Sequence, residues 1–289
     1  MNNKKEIKSV EDFISEIKQN IDIKNSKQSG YEFFFRGQAN STYDLFPGIY
    51  RYKGKYIESE TKFYNEIISN SPEEFIEEKT TIEKLVKMQH FGIPTRLLDI
   101  TTNPLVALFF ACNNNSTEEE NNDGKVFFFY EKEDNIKFYN SDTVTILANL
   151  AKISKNDIIK IYDSENIDNF NKQDSVQKLI HYIKEDKPYF KDSINPNDIS
   201  KCIFLKAKFN NQRIIRQSGA FIIFGFSPDN KQNKNLLHNT KEIIISKEYK
   251  KEILKDLDII GINESTLFPD LEKKAKYLKD KITNKNNEQ

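Results

Sequence analysis

Gln89-His90-Phe91-Gly92-Ile93-Pro94-Thr95-Arg96-Leu97-Leu98-Asp99-Ile100-Thr101-Thr102-Asn103-Pro104 sets an arginine, an aspartate and three threonines among strongly apolar neighbours. A charge taken out of water must be paired or bound to a ligand. Here the ionic residues lie between a Gly-x-Pro turn and a helix start. Asn103 is a good N-cap and Pro104 a good first-turn residue, so Leu105 to Cys112 is expected to continue as a short, wholly buried helix. Arg96, Asp99, Thr101 and Thr102 are then delivered to a helix N-terminus, whose free N–H groups and partial positive charge suit phosphate or carboxylate.

Working outward, Ser9 and Asp12 form a capping box, and Val10, Phe13, Ile14, Ile17 and Ile21 fall on one stripe, so residues 1–26 hold an amphipathic helix. Tyr31 to Phe35 read as a strand that ends in Arg36-Gly37-Gln38. Helical spacing runs through 56–69, and Ser71-Pro72-Glu73-Glu74 starts a second helix leading into Gln89. After the buried helix, the polar run 113–123 reads as an exposed loop. Lys125 to Tyr130 is a strand, with Ile136 to Tyr139 a candidate hairpin partner across Asp134-Asn135. Helical pattern fills 143–186, strands return at 202–208, 220–224 and 242–246, and helices close the chain at 248–258 and 270–282 before a frayed 284–289.

Strands in two groups with helices between them indicate an α+β fold: one domain over 27–275, with a mixed or mainly antiparallel central sheet flanked by helices. The 276–289 segment is the end of the last helix and a tail.

Composition narrows the function classes. Lys plus Arg number 44 and Asp plus Glu number 44 in 289 residues, so no global field draws the chain to a nucleic-acid backbone or an anionic membrane. The two cysteines, Cys112 and Cys202, lie in apolar runs and read as buried thiols in a reducing, cytoplasmic setting. The N-terminus has no apolar core, and the longest apolar stretch is Leu105 to Cys112, so neither a signal peptide nor a membrane span is expected. His90, His181 and His238 are far apart and lack partners at ligand spacing, so no metal is expected.

Three segments hold polar residues that a core does not need. The first is Arg36-Gly37-Gln38, where a planar donor fork leaves an aromatic strand and a glycine permits close approach of backbone to ligand. The bland alternative for Arg36 is a structural ion pair with Asp99 or a Glu. The second is the opening stretch, with Gln89, His90, Thr95, Arg96, Asp99, Thr101 and Thr102, in which Arg96 and Asp99 could simply pair with each other. The third is Arg213-Ile214-Ile215-Arg216-Gln217-Ser218-Gly219-Ala220-Phe221, where polar heads precede a glycine opening an apolar strand. Arg213 and Arg216 would share a face if a helical turn forms there. A solvated turn is the alternative.

Phe35-Arg36-Gly37-Gln38, Leu45-Phe46-Pro47, Arg51, the stretch Gln89 to Asp99, Asn103-Pro104 with Ala107 to Ala111, Arg213-Ile214, Gln217 to Phe221 and Leu267-Phe268-Pro269-Asp270-Leu271 together resemble the FRG domain, a bacterial and phage family. The matches span about 30 to 275.

A further similarity is to ADP-ribosyltransferases of the Arg-Ser-Glu type. In those enzymes an Arg-Gly ends a first strand and contacts NAD, a Ser or Thr motif precedes a small apolar helix, and a Glu or Gln near a later strand orients the reacting ribose. Arg36-Gly37, Thr101-Thr102 and Gln217 occur here in that order. This resemblance implies an ADP-ribosyltransferase-like version of the fold and a pocket for NAD or a related nucleotide. Gln217, Arg36 and Thr101 would be catalytic, and Arg36, Gly37, Gln38, Gln89, His90, Thr95, Arg96, Asp99, Thr102 and Arg213 would bind the ligand. NAD would be a substrate, for a transferase or a glycohydrolase, in a toxin or phage-defence setting. One departure matters: no Glu stands at Gln217 or within two residues of it. A non-catalytic nucleotide- or phosphate-sensing module, or a protein-interaction domain, are the competing readings. Convergence of the three segments on one concave pocket separates the pocket readings from the last.

Overall fold

A computed structural model describes residues 7–27, 30–51, 54–114, 116–163, 167–206, 208, 211–227, 236, 240–271, 274, 275 and 277. Most of the expected helix over 270–282, the tail 284–289 and His238 lie outside these residues. Seven strands form one sheet: β1 (Tyr31–Gln38), β2 (Leu97–Thr101), β3 (Gly124–Lys132), β4 (Lys137–Phe138), β5 (Cys202–Lys206), β6 (Gly219–Phe224) and β7 (Thr240–Ile245). Their order is β4-β5-β6-β2-β1-β3-β7, and all neighbours are antiparallel except the parallel pair β4–β5. The chain is thus a single-domain α+β protein with a mixed, mainly antiparallel sheet.

The helices used below are α1 (Val10–Lys27), α2 (Glu60–Asn70), α3 (Thr81–His90), α4 (Pro104–Cys112), α5 (Asp142–Asn149), α6 (Asp174–Asp186), α7 (Gln212–Arg216) and α8 (Lys250–Ile259). Strand side chains alternate between faces, so register assigns each apolar group to a layer. Phe35 lies opposite Thr101, Asp99 opposite Phe221, Leu97 opposite Ile223, and Gly37 opposite Val126, all on one face. Two separate apolar clusters cover that face. Phe35, Val126, Phe128, Ile243 and Ile245 pack under α1, α4 and α8. Leu97, Leu205, Phe221 and Ile223 pack under α3, α5 and α6. The opposite face carries Phe34, Leu98, Ile100, Phe127, Phe129, Ile222 and Phe224, with Leu45, Ile136 and Leu236 packed against them.

Helix α4 is seated by small residues. A Cβ on Gly37 would lie 1.9 Å from the Ala107 carbonyl oxygen, and one on Gly124 would lie 2.1 Å from that of Ala111. The close approach that Gly37 permits is therefore that of α4. Its N-terminus follows the expected chemistry: Asn103 Oδ1 accepts from Leu105 N at 2.9 Å and Pro104 occupies the first turn.

Several elements differ from expectation for identifiable reasons. The helix expected from Ser71 is interrupted, because Thr80 and Glu83 form a capping box that starts α3 afresh. The long helical pattern over 143–186 is divided among α5, α6 and the helix Lys155–Tyr162 between them, which Ser154 caps. Strand β4 joins the far edge of the sheet beside β5 instead of forming a hairpin with β3. The polar run 113–123 includes the short helix Thr117–Glu120, capped by Ser116. That run is tied down by the buried Lys250, whose Nζ donates to Ala39 O at 2.6 Å, Asn114 Oδ1 at 2.9 Å and Glu119 O at 3.0 Å. Helix α1 belongs to the main body, since Val10, Phe13 and Ile17 join the same cluster as β3 and β7.

Candidate functional site

Between the two clusters on the helix-covered face, the sheet is left open as a cleft with two lobes. One lobe has about 600 Å³ of empty space, its solvent mouth included, and is bounded by Phe35, Arg36, Gly37, Thr101, Val106 and Phe110. The other has about 470 Å³ on the same measure and is bounded by Val86, Gln89, His90, Asn211, Ile214 and Phe221. Asp99, Ile100, Arg213 and Gln217 line both lobes and so form the partition between them. Such volumes fall within the range of small-molecule pockets.

The cleft opens where β1 and β2 part. Their antiparallel ladder pairs Phe35 with Thr101, and one step further Arg36 Nη1 donates to the Asp99 carbonyl oxygen at 2.6 Å. A side chain here takes up an acceptor that a continuing ladder would have used. Arg36 Nε is buried and, among the described residues, has no hydrogen-bond partner. Burial pulls this guanidinium down to about 10, Asp99 opposes the fall and Arg51 adds to it. It remains a cation at neutral pH, with unused donor capacity beside a pocket.

Helix α7 and the turn after it supply the partition. Asn211 Oδ1 accepts from Arg213 N at 2.8 Å and starts the helix. Ser218 then takes φ 46°, a left-handed conformation that a non-glycine residue adopts at a cost of roughly 1–3 kcal/mol. That turn is clamped to β2: Thr102 N donates to Ser218 O at 3.0 Å, and Thr101 Oγ1 donates to Gln217 O at 2.7 Å. The Thr101 hydroxyl also accepts from Asn103 N at 3.0 Å, so it joins the end of β2, the start of α4 and Gln217.

The segment from Thr266 to Phe268 packs against α7 and Gln217. Gln217 Nε2 donates to Leu267 O at 3.2 Å, Arg216 Nη1 donates to Thr266 O at 3.3 Å, and the Arg213 guanidinium lies 5.2 Å from the centre of the Phe268 ring. Both arginines of α7 therefore face this segment, as a shared helical face requires. His90 sits across the cleft with a buried Nδ1 that lacks a partner among the described residues. Burial, Arg213 and Lys87 hold its pKa below the usual value, against the pull of Asp270.

The structure thus brings Arg36, Gly37, Gln89, His90, Asp99, Thr101, Arg213 and Gln217 together. Other residues expected at the site are occupied elsewhere. Arg96 is fully buried and paired with Glu60 of α2, with Nε 2.8 Å from Oε1 and Nη2 bonded to Oε2, while Nη1 donates to Phe224 O at 3.0 Å. Its partner is Glu60, which sequence reasoning missed, and not Asp99. The Thr95 hydroxyl donates to Gln89 Oε1 and accepts from Leu97 N at 3.2 Å. Gln38 is buried, with Nε2 3.3 Å from Asp44 O, and Thr102 is exposed with its hydroxyl on Ser218 O. Arg96, Thr95, Gln38 and Thr102 do not line either lobe. Asn211 was also missed, although Asn before Gln-Arg-Ile-Ile-Arg is a readable N-cap. The apolar lining by Val106 and Phe110 had no signal, since both sit in a run that reads as core.

Among the described residues, no group of His, Cys, Asp and Glu could hold a metal ion, and no helix is long and apolar enough to cross a membrane. Cys112 is a buried free thiol raised to about 12 by burial, with Lys250 opposing, and Cys202 is free as well.

An α+β domain with a polar-walled cleft between two helix layers is the class that fold and site define. The family model of the FRG domain matches residues 31–120, and the chain carries an FRG domain there. That span holds β1, α3, β2 and α4, and so the Arg36, Gln89, His90, Asp99 and Thr101 side of the cleft. Gln217, Arg213 and the 267–271 segment lie beyond it, although the motif resemblance ran to about residue 275. No curated protein and no solved structure matches the chain significantly.

Proposed function

We propose that the cleft binds NAD or a closely related dinucleotide and that the protein transfers ADP-ribose from it. The observation supporting this reading is the meeting of Arg36, Thr101 and Gln217 at one cleft, from the adjacent strands β1 and β2 and the turn between α7 and β6. These are the positions that carry the similarity to ADP-ribosyltransferases. Arg36 and Arg213 supply the cationic donors a pyrophosphate needs. Phe35, Val106 and Phe110 supply an apolar wall against which a flat ring can pack. Thr101 acts through position, because its hydroxyl is engaged with Gln217 O and Asn103 N. A bacterial toxin or phage-defence setting is the biological context this chemistry fits.

The test is to incubate the purified chain with isotopically labelled NAD and cell extract, following nicotinamide release and label transfer, with Arg36→Ala and Gln217→Ala alongside. Release lost in both variants supports the enzyme, and label transfer separates a transferase from a glycohydrolase. Saturable NAD binding without turnover favours the sensing module, for which the unused Arg36 Nε is the specific support. Absence of binding by folded protein leaves the protein-interaction reading.

A further inference from the structure

Aspartate is disfavoured inside strands, and β2 is a central strand flanked by β1 and β6. Four of its five residues, Leu97, Leu98, Ile100 and Thr101, are buried, and Asp99 alone is exposed. Solvent reaches it through the cleft, where Asp99 lines both lobes. Among the described residues lining the two lobes, it is the only one with a carboxylate. The strand holds it firmly: Asp99 is in register with Phe221 of β6, and its carbonyl oxygen accepts from Arg36. A rigid scaffold thus presents a single anionic group at the boundary of two cavities, with Gln217 and Arg213 beside it on the partition.

We propose that Asp99 is the catalytic carboxylate of the transfer reaction, filling from β2 the role for which no Glu is present near Gln217; this rests on the NAD reading above. In the reaction, the C1′–N bond to nicotinamide breaks and its electron pair leaves with neutral nicotinamide, so positive charge develops on the ribosyl carbon. A carboxylate facing that carbon stabilises the oxocarbenium-like transition state. The acceptor's oxygen or nitrogen then bonds to C1′ and gives up its proton, which the Asp99 carboxylate takes and passes to solvent. One group can serve both events only if it faces donor and acceptor together. Its place between the two lobes meets that requirement, with the Arg36 lobe holding the dinucleotide and the His90 lobe the acceptor.

The experiment compares the full chain with Asp99→Asn and Asp99→Glu, using NAD as the probe and water as the acceptor. Thermal midpoint, NAD affinity by calorimetry and nicotinamide release are measured for each. Asp99→Asn keeps size and exposure, so its midpoint and its NAD affinity, within a few-fold, should stay with the parent while release falls roughly 100-fold or more. Asp99→Glu should recover part of the rate. Release by Asp99→Asn within a few-fold of the parent overturns this assignment while leaving the NAD reading intact. A parent protein that binds NAD without releasing nicotinamide overturns this assignment together with the transfer step of the reading above, and leaves the sensing module.

Discussion

Arg36 and Arg96 stand at comparable places, one near the end of β1 and the other just before β2, each beside aromatic or aliphatic core, yet they do different work. Arg96 is closed off: two nitrogens bond the Glu60 carboxylate and the third bonds Phe224 O, so its donor fork is spent on joining α2 to the sheet. Arg36 is held by one carbonyl, keeps Nε unpartnered among the described residues, and borders a cavity. The two differ in exposure, Arg96 being fully buried and Arg36 half-buried, and above all in their partners. A buried cation with a complete set of acceptors joins elements of the fold, and one with a spare donor at a cavity wall keeps capacity for a further acceptor.

The harshest way to test this contrast is Arg96→Ala, which strands the Glu60 carboxylate in the core and should cost about 3–5 kcal/mol by denaturant unfolding. Replacing Glu60 and Arg96 together by Leu and Met should cost less than Arg96→Ala alone, because no orphaned charge remains. A double variant as unstable as the single one would mean that the pair does more than satisfy itself. Gly37→Ala comes next, since its Cβ would collide with the Ala107 carbonyl oxygen. Moving α4 off β1 should cost roughly 1–3 kcal/mol in the same assay and weaken NAD binding through the displaced cleft wall.

Arg36→Ala should show the reverse balance. Its unfolding free energy should move by no more than about 1 kcal/mol, because one carbonyl bond is lost and one poorly satisfied cation is removed. NAD affinity by calorimetry should fall at least about tenfold, equivalent to about 1.4 kcal/mol. A large stability loss with unchanged affinity would place Arg36 in the same class as Arg96.

The smallest effect concerns His90, whose imidazole should titrate by NMR below the ordinary 6.5 because burial, Arg213 and Lys87 outweigh Asp270. With the folded value depressed, the unfolded chain binds this proton first as pH falls. His90 therefore costs no stability above about pH 6.5 and reduces it progressively below that value. Arg213→Ala should raise the midpoint, tying the measurement to the side of the cleft that Arg36 does not reach.

Much of the fold was legible because its signals are local. The Asn103-Pro104 start, the apolar run of α4, the Phe-rich strands and the Gln217-Ser218-Gly219 turn each follow from neighbouring residues. The breaks in the helical pattern were legible in principle too, through the Thr80–Glu83 box and the Ser154 cap, but periodicity alone ran past them. The pairing of β4 with β5 was not, because its two strands lie some sixty residues apart and the nearer hairpin partner looks equally good on paper.

For the site, residue type and position relative to strand and helix ends were enough to nominate Arg36, Asp99, Thr101, Arg213 and Gln217, since polar groups beside apolar elements need a reason to be there. What sequence by itself determined was this set of candidates and the elements that carry them. Which arginine would be spent on a core carboxylate and which left facing a cavity depended on where α2 brings Glu60. That the single exposed carboxylate of β2 lies between two lobes depended on how two helix layers divide one sheet face. Those outcomes belong to tertiary structure, because ion pairing and cavity formation are contacts between residues far apart in the chain, and local pattern carries no information about which distant group will arrive.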